Sequence, residues 1–286
     1  QIHNMAVLVL ELKSGHVKAY VGNTSDRNNS YSNQVDIIHA KRSSGSILKP
    51  FLYASMIQEG KLLPKMLISD TPMDITENYD RTYSGAVPAD EALARSLNIP
   101  SVHMLENYSV AKFHHRLQEF GFTTFTQTPK HYGLSLIVGG GEVTLWELAQ
   151  AYRNMAYGVM KPNSFVFNQK IDYLKNSDTD LRKLPVNAQS SYLTLQALLD
   201  VARPDSESGW QVYSDKNIAW KTGTSHGFKD AWSVGVSTQY VVAVWVGNAD
   251  GEGRPGILGV KAAAPVMFDV FSRLKSQDRF EKPPLN

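Results

Sequence analysis

The chain has 286 residues, a formal net charge of +2 and 20% charged residues with no basic run, which argues against a nucleic-acid partner. It contains no cysteine, so disulfides, thiol catalysis and a cysteine metal site are excluded. The length suits one large domain or two lobes with a substantial core, and no apolar stretch approaches membrane-spanning length.

Residues 5–12 and 16–22 read as a hairpin turning at Lys13-Ser14-Gly15, and residues 23–34, rich in Asn and Ser, as a loop. A helix is expected to start at Ser46. Gly45 allows a tight entry, Ile47, Leu48, Phe51, Leu52 and Met56 face inward, Pro50 falls in the first turns, and Gly60 closes it. Ser96-Leu97-Asn98 falls between helical segments opened by Pro88 and Pro100. Pro100 biases Ile99 away from helix and leaves a bend that presents Ser96 and Asn98 to a cleft. Standing alone, that turn reads as ordinary capping. Ser109 reads as the N-cap of an amphipathic segment. Gly139-Gly140-Gly141 has no Walker or G-x-G-x-x-G surroundings and reads as a structural turn. Thr144-Leu145-Trp146-Glu147 is a capping box, Gly158 closes that helix, and Leu145, Leu148, Ala149 and Tyr152 form a core stripe. Ser190–Val201 reads as a helix, 217–225, 229–237 and 239–247 as strands, and a final helix lies near 262–275.

Strands at both ends with helices between predict an α/β (α+β) fold, in which one antiparallel sheet is built from both chain ends and flanked by helices. An all-helical lobe, residues 46–204, is then inserted into a sheet lobe formed by 1–45 and 205–286, with the active site in the cleft between them.

Three short motifs carry chemistry in a fixed order: Ser46-Ile47-Leu48-Lys49, Ser96-Leu97-Asn98 and Lys221-Thr222-Gly223-Thr224. A serine hydroxyl needs an adjacent base. Residues i and i+3 share a helix face, so Ser46 and Lys49 are expected to meet, and a helix starting at Ser46 aims N–H groups at a reacting carbonyl. Lys49 acts as a base only when neutral, and burial beside a cation such as Lys221 lowers its pKa. Lys221 to Thr224 should form a strand edge to which an extended substrate adds, with Gly223 making room for the substrate backbone.

Several competing patterns are weaker. Ser109-Val110-Ala111-Lys112 and Ser272-Arg273-Leu274-Lys275 repeat S-x-x-K, but the first opens a polar segment and the second ends a basic, solvated helix. Gly223-Thr224-Ser225-His226-Gly227 fits G-x-S-x-G, yet a strand pattern follows where a helix is needed, and no histidine comes after His226. The eight histidines lack H-E-x-x-H spacing, and no metal site is expected.

The three motifs together resemble the penicillin-binding protein and serine β-lactamase superfamily. The stretches Arg42–Phe51, Ser84–Pro100, Gly139–Tyr152 and Ala219–Gly247 resemble the transpeptidase domain of class A (bifunctional) penicillin-binding proteins. Ser44 stands where the family often has proline, a change expected to loosen the lead-in to Ser46. His226 stands where an aromatic is more usual, at the rim of the cleft. The resemblance implies a D,D-transpeptidase that cross-links peptidoglycan stem peptides. Ser46 attacks the penultimate D-Ala carbonyl, Lys49 takes the proton, and Ser96 with Lys221 relays it to the leaving D-Ala. The N–H groups of Ser46 and Thr224 form the oxyanion hole, Asn98 holds the donor amide, and Lys221, Thr222 and Thr224 bind the carboxylate, with Gly223 between them. The implied partners are a D-Ala-D-Ala donor, an amine acceptor, β-lactams and other cell-wall synthesis proteins. No cofactor is needed. The implied location is the periplasmic, extracytoplasmic face of the bacterial inner membrane, with a membrane helix and a glycosyltransferase domain expected outside this chain. Two other readings stay open on the sequence alone: a β-lactamase or D,D-carboxypeptidase, and a sensor module that is acylated without turnover.

Overall fold

The computed structural model describes residues 2–24, 30–162, 165–168, 180–202, 217–274 and 278–284. Strands β1 (Asn4–Glu11) and β2 (Val17–Val21) form the expected hairpin, and β3 (Arg42–Ser43) leads to helix α1 (Lys49–Gln58). Strands β4 (Leu67–Asp70) and β5 (Gly85–Pro88) pair ahead of α2 (Ala89–Ala94), α3 (Asn98–Tyr108), α4 (Val110–Glu119) and α5 (Pro129–Tyr132). Strand β6 (Glu142–Val143) pairs with β3 and runs into α6 (Leu145–Met160). Strands β7 (Phe165–Asn168) and β8 (Asp180–Lys183) pair, and α7 (Ala188–Leu199) follows. Strands β9 (Ala219–Thr224), β10 (Asp230–Val236) and β11 (Tyr240–Gly247) precede the C-terminal helix Ala264–Arg273.

The main sheet is antiparallel in the order β2-β1-β11-β10-β9, so both chain ends build it, as expected. Successive side chains of a strand point to opposite faces. Ala6, Leu8, Leu10, Val234, Trp232 and Trp245 join the larger core with residues of α1 and α6, while Val7, Val9, Val242 and Val244 join a second core with Met267, Phe268 and Phe271 of the C-terminal helix. Apart from its exposed edge strand β2, the sheet is therefore a middle layer covered on both sides, which is why every residue of β10 is buried and its sequence does not need a polar face. Burying each large apolar side chain contributes roughly 1.5–3 kcal/mol.

Local boundaries depart from expectation for identifiable reasons. Helix α1 begins at Lys49, after a turn over Ser46–Leu48, because Pro50 has no N–H to donate to the Ser46 carbonyl. Its end is as expected, with Gly60 N–H on Ile57 O and Lys61 N–H on Met56 O. Helix α3 begins at Asn98 and includes Ile99, so the bend lies at Ser96 (φ 57°) and Leu97 (ψ 136°) instead. Ser109 precedes α4 but makes no capping bond. Its φ of 88° is far from the extended backbone that aims a cap oxygen at the helix. Thr144 Oγ1 accepts the Glu147 N–H (3.1 Å), but the Glu147 carboxylate turns to Thr123 instead of completing the box. Helix α6 runs through Gly158, where a larger side chain would strike Leu184. The short pairs β3–β6, β4–β5 and β7–β8 were not expected. The C-terminal helix is preceded by a π-helical turn over Gly259–Ala263. Residues 25–29 of the expected loop and Lys275 lie outside the described residues.

Candidate active site

The turn that carries Ser46 is held from four directions. Trp232 Nε1 on β10 donates to Ser43 O (2.8 Å) and Ser43 Oγ to Gly139 O (2.8 Å). The Ser44 N–H donates to Gly141 O (2.9 Å) and Tyr152 Oη on α6 to Ile47 O (2.7 Å). The Ser44 N–H bond to Gly141 O is one that proline could not make, so Ser44 ties the lead-in where looseness was expected. The triple glycine is a structural turn that packs on this segment, and Tyr152 adds a hydrogen bond to its core role.

The fourth contact is with β9, backbone against backbone. Gly45 has φ 52°, which favours glycine, and a Cβ there would lie 2.5 Å from Thr224 O. A Cβ on Gly223 would lie 2.8 Å from Ser44 O and 3.2 Å from Ile47 Cβ. Gly223 thus makes room for the turn that carries Ser46, a need for glycine that the sequence reading did not include. Strand β9 is the sheet edge, as expected. The Ser225 N–H bonds to Asp230 O across β10. Ladder bonds alternate along an antiparallel pair, so the backbone groups of Thr222 and Thr224 face the open edge. Thr224 Oγ1 accepts the Gly259 N–H (3.0 Å), which leaves its own proton to donate.

Lys49 and Lys221 are both 1% exposed. Lys49 Nζ donates to Ser96 O (2.8 Å), Leu97 O (3.1 Å) and Asn98 Oδ1 (2.8 Å). The direct bond to Ser46 Oγ implied by i,i+3 spacing is not among its contacts, because α1 starts only at Lys49. Burial, then the charge of Lys221, push the Lys49 pKa well below the ordinary lysine value. Lys221 Nζ donates to Ser96 Oγ (2.7 Å) and Thr222 O (2.8 Å), and burial brings its pKa down to about 7. Ser96 is thereby held by both lysines. Its left-handed backbone costs a non-glycine residue about 1–2 kcal/mol, and these bonds stabilise it. Asn98 Nδ2 donates to Glu77 O (2.9 Å).

Ser46 is half-buried, and its hydroxyl makes no hydrogen bond among the described residues. It opens with Ser96, Asn98, Lys221, Thr222, Gly223 and Thr224 into a hollow of about 330 Å3, walled also by Tyr79, Val138, Trp220 and Leu258. No carboxylate is among its described lining residues. Glu142 pairs in β6 opposite Ser43, Glu147 is bound by Thr123, and Asp230 is buried on Trp245 Nε1 (3.0 Å). His226 is exposed past the end of β9 and does not line the hollow. Ser272 bonds Asp269 O on the C-terminal helix, away from these groups. A larger hollow of about 600 Å3, beside Arg116 and Lys183, has no hydroxyl nucleophile among its described lining residues. Among the described residues no group of acidic or histidine side chains could hold a metal ion.

Sequence reasoning missed the Trp232 and Tyr152 clamps. Their partners, Ser43 O and Ile47 O, lie 189 and 105 residues away, so no local pattern announces them.

Residues 5–270 match the penicillin binding protein transpeptidase domain, and the chain belongs to that family, with its likeness to the transpeptidase domain of the class A members. It is 31% identical over 280 residues to penicillin-binding protein 1C of Escherichia coli strain K12, covering 96% of this chain and 35% of that protein. It is 30% identical over 285 residues to penicillin-binding protein 1A of Neisseria cinerea, covering 91% and 34%. The chain thus spans about a third of the length of these curated relatives. The crystal structure of penicillin-binding protein 1A from Haemophilus influenzae superposes with a TM-score of 0.78 at 21% identity, over 98% of this chain and 49% of that one. PonA1 from Mycobacterium tuberculosis, in complex with penicillin V, superposes with a TM-score of 0.77 at 19% identity, over 98% and 81%. At these identities the two structures establish the shared fold.

Proposed function

We propose that this chain is the D,D-transpeptidase unit of a class A penicillin-binding protein, acting on peptidoglycan stem peptides through an acyl-enzyme on Ser46. The observation that carries the reading is the convergence on one hollow of Ser46, the Ser96 hydroxyl and the buried Lys221 that donates to it, with the buried Lys49, also of lowered pKa, bonded to the Ser96 and Leu97 carbonyls and to Asn98 of the same wall. When Lys49 loses its proton it keeps two N–H donors for its three acceptors and gains a lone pair to take the Ser46 proton. Ser46 Oγ bonds to the penultimate D-Ala carbonyl carbon, the C–N bond to the last D-Ala breaks, and Ser96, bonded to Lys221, passes the proton to the leaving amine. The N–H groups of Ser46 and Thr224 receive the oxyanion, an interaction commonly worth about 3–4 kcal/mol. Lys221 and the hydroxyls of Thr222 and Thr224 take the terminal carboxylate, which β-lactams imitate, and Asn98 meets the donor amide. The acceptor amine then attacks the ester, forming the cross-link and returning the proton to Ser46. No cofactor enters the reaction.

A hydrolase needs a positioned base for water on the ester. The lack of a carboxylate among the described lining residues favours the transferase over a β-lactamase. On this reading the sheet lobe and the helical lobe meet at Ser46, and the reaction takes place on the extracytoplasmic face of the bacterial inner membrane, where the full-length protein is anchored among other cell-wall synthesis proteins. No described helix is long and apolar enough to cross a membrane.

Intact mass followed over hours after adding penicillin tests the reading. The expected result is one adduct that persists, with poor turnover of nitrocefin. Sustained turnover above about one per second, within the range of ordinary enzymes, moves the assignment to β-lactamase. No adduct at all rejects the acyl-enzyme.

A further inference from the structure

The wall of the hollow formed by Ser96–Asn98 is held from behind by residues 70–84. Asp70 at the end of β4 and Asn78 in the following loop are 0% and 1% exposed. Asn78 Nδ2 donates to Asp70 Oδ1 (2.6 Å) and Thr82 O (2.9 Å), and Asp70 Oδ2 accepts the Ser84 N–H (2.9 Å). Asn78 Oδ1 then accepts the N–H groups of Asn98 (3.0 Å) and Ile99 (3.2 Å). With the amide turned the other way, oxygen would face the oxygens of Asp70 and Thr82, and nitrogen would face two donors, so only one orientation satisfies all four contacts.

The two N–H groups are the first donors of α3. Pro100 has none, and Leu97 at the N-cap position provides no side-chain cap. Asn78 is thus a cap supplied from 20 residues away. One residue earlier, Glu77 O takes Asn98 Nδ2, which leaves Asn98 Oδ1 facing Lys49 Nζ. The backbone of Asn98 is fixed by Asn78 and its side chain by Glu77.

We propose that Asn78, oriented by Asp70, is a positioning residue for acylation. Through the first turn of α3 it holds in place the carbonyls and amide that receive Lys49 and the Ser96 that meets Lys221. The inference rests on the roles of Ser46 and Lys49 proposed above.

The test is the rate of labelling by a fluorescent penicillin, measured per folded protein at a temperature where near-ultraviolet circular dichroism and thermal unfolding show each variant native. Asn78→Ala should slow labelling at least about tenfold, since misplacement by an ångström costs up to about a hundredfold. Asn78→Asp should also be slow, because its carboxylate replaces a donor facing Asp70. The double variant Asp70→Asn with Asn78→Asp restores the donor between the two side chains and the acceptor for α3 but leaves a carboxylate oxygen facing Thr82 O, so it should recover part of the lost rate and label at least about threefold faster than Asn78→Asp, since paired changes in contact need not add. Should Asn78→Ala fold too poorly to assay, the comparison of Asn78→Asp with the double variant decides. Wild-type labelling by folded Asn78→Ala, or a double variant as slow as Asn78→Asp, overturns the inference while leaving the acyl-enzyme intact. An unlabelled wild type removes the acyl-enzyme reading itself, and the inference with it.

Discussion

The segments around Ser46 and Ser109 carry the same four-residue pattern and share almost nothing else. Lys49 is buried, meets only uncharged acceptors and is pushed toward the neutral form by burial and by Lys221. Lys112 is exposed and bonded to the Glu59 carboxylate (2.6 Å), which also receives Tyr108 (2.7 Å) and Arg116 (3.2 Å). Burial opposes ionisation of Glu59, but the bonds from Lys112, Tyr108 and Arg116 outweigh it and bring its pKa down to about 2. One lysine is placed to lose its proton and the other to clasp a carboxylate. The lesson is that the pattern supplies geometry at most, and that the surroundings decide between a base and a clasp.

The largest contrast should come from the serines. Ser46→Ala should abolish labelling by a fluorescent penicillin, whereas Ser109→Ala and Ser272→Ala should label as the wild type does; peptide mapping that found the adduct on Ser109, Ser225 or Ser272 would break the comparison at its root. Next come the lysines. Lys49→Arg keeps a charge that cannot be surrendered, so acylation should fall by about two to four orders of magnitude, the usual worth of a general base, in a protein that still folds. Lys112→Arg should acylate normally, and a Lys49→Arg variant that does the same would remove the lysine base.

The pH profile sharpens the same contrast. Acylation on this reading needs Lys49 neutral and Lys221 charged. The second-order rate, which reports groups of the unliganded enzyme, should fall on acidification as Lys49 takes up a proton. It should fall again as the pH rises through about 7 and Lys221 loses its own. Stopped-flow acylation of wild type and Lys112→Met should give the same bell, because Lys112 faces neither amine. A flat profile across this window would contradict the assignment of both lysines.

The smallest effects belong to the clasp. Lys112→Met should change stability by only about 1 kcal/mol or less, as for exposed pairs in general. Glu59 is more sensitive to pH. Its folded pKa lies below the ordinary 4.5, so its stabilisation is present at neutral pH and is lost as pH falls through 4.5 toward about 2. Glu59→Gln should therefore lower the unfolding temperature at pH 7, and the gap to the wild type should close in acid. A gap of constant size would show that packing, and not charge, makes the contribution.

The sheet, most of its helices and the residues gathered at the hollow were legible in the sequence, because periodicity marks elements and the three motifs mark the cleft. What stayed hidden was whatever depends on partners far along the chain. The start of α3 at Asn98 could not be read, since its cap is Asn78 and Pro100 argued locally for a later start. The start of α1 was open to inference from Pro50 but was drawn toward Ser46 by the i,i+3 argument. The approach of Ser44 O and Ile47 to Gly223 is a reason for glycine that no pattern within β9 records.

Strand β1 lies with Asn4 opposite Gly247 and Glu11 opposite Tyr240, so the first strand of the chain is paired by one of the last. On the ribosome this means that the apolar segment Met5–Leu10 emerges long before either β11 or the C-terminal helix exists to cover it. The sheet closes only after β11 has been made, and contacts of such high sequence separation form slowly. Lys221, which completes the bonds to Ser96, arrives with the same late strands. A chain interrupted before β9 would carry Ser46 and Lys49 yet lack the edge against which they are set, so assembly of the reactive hollow waits on synthesis of the late strands.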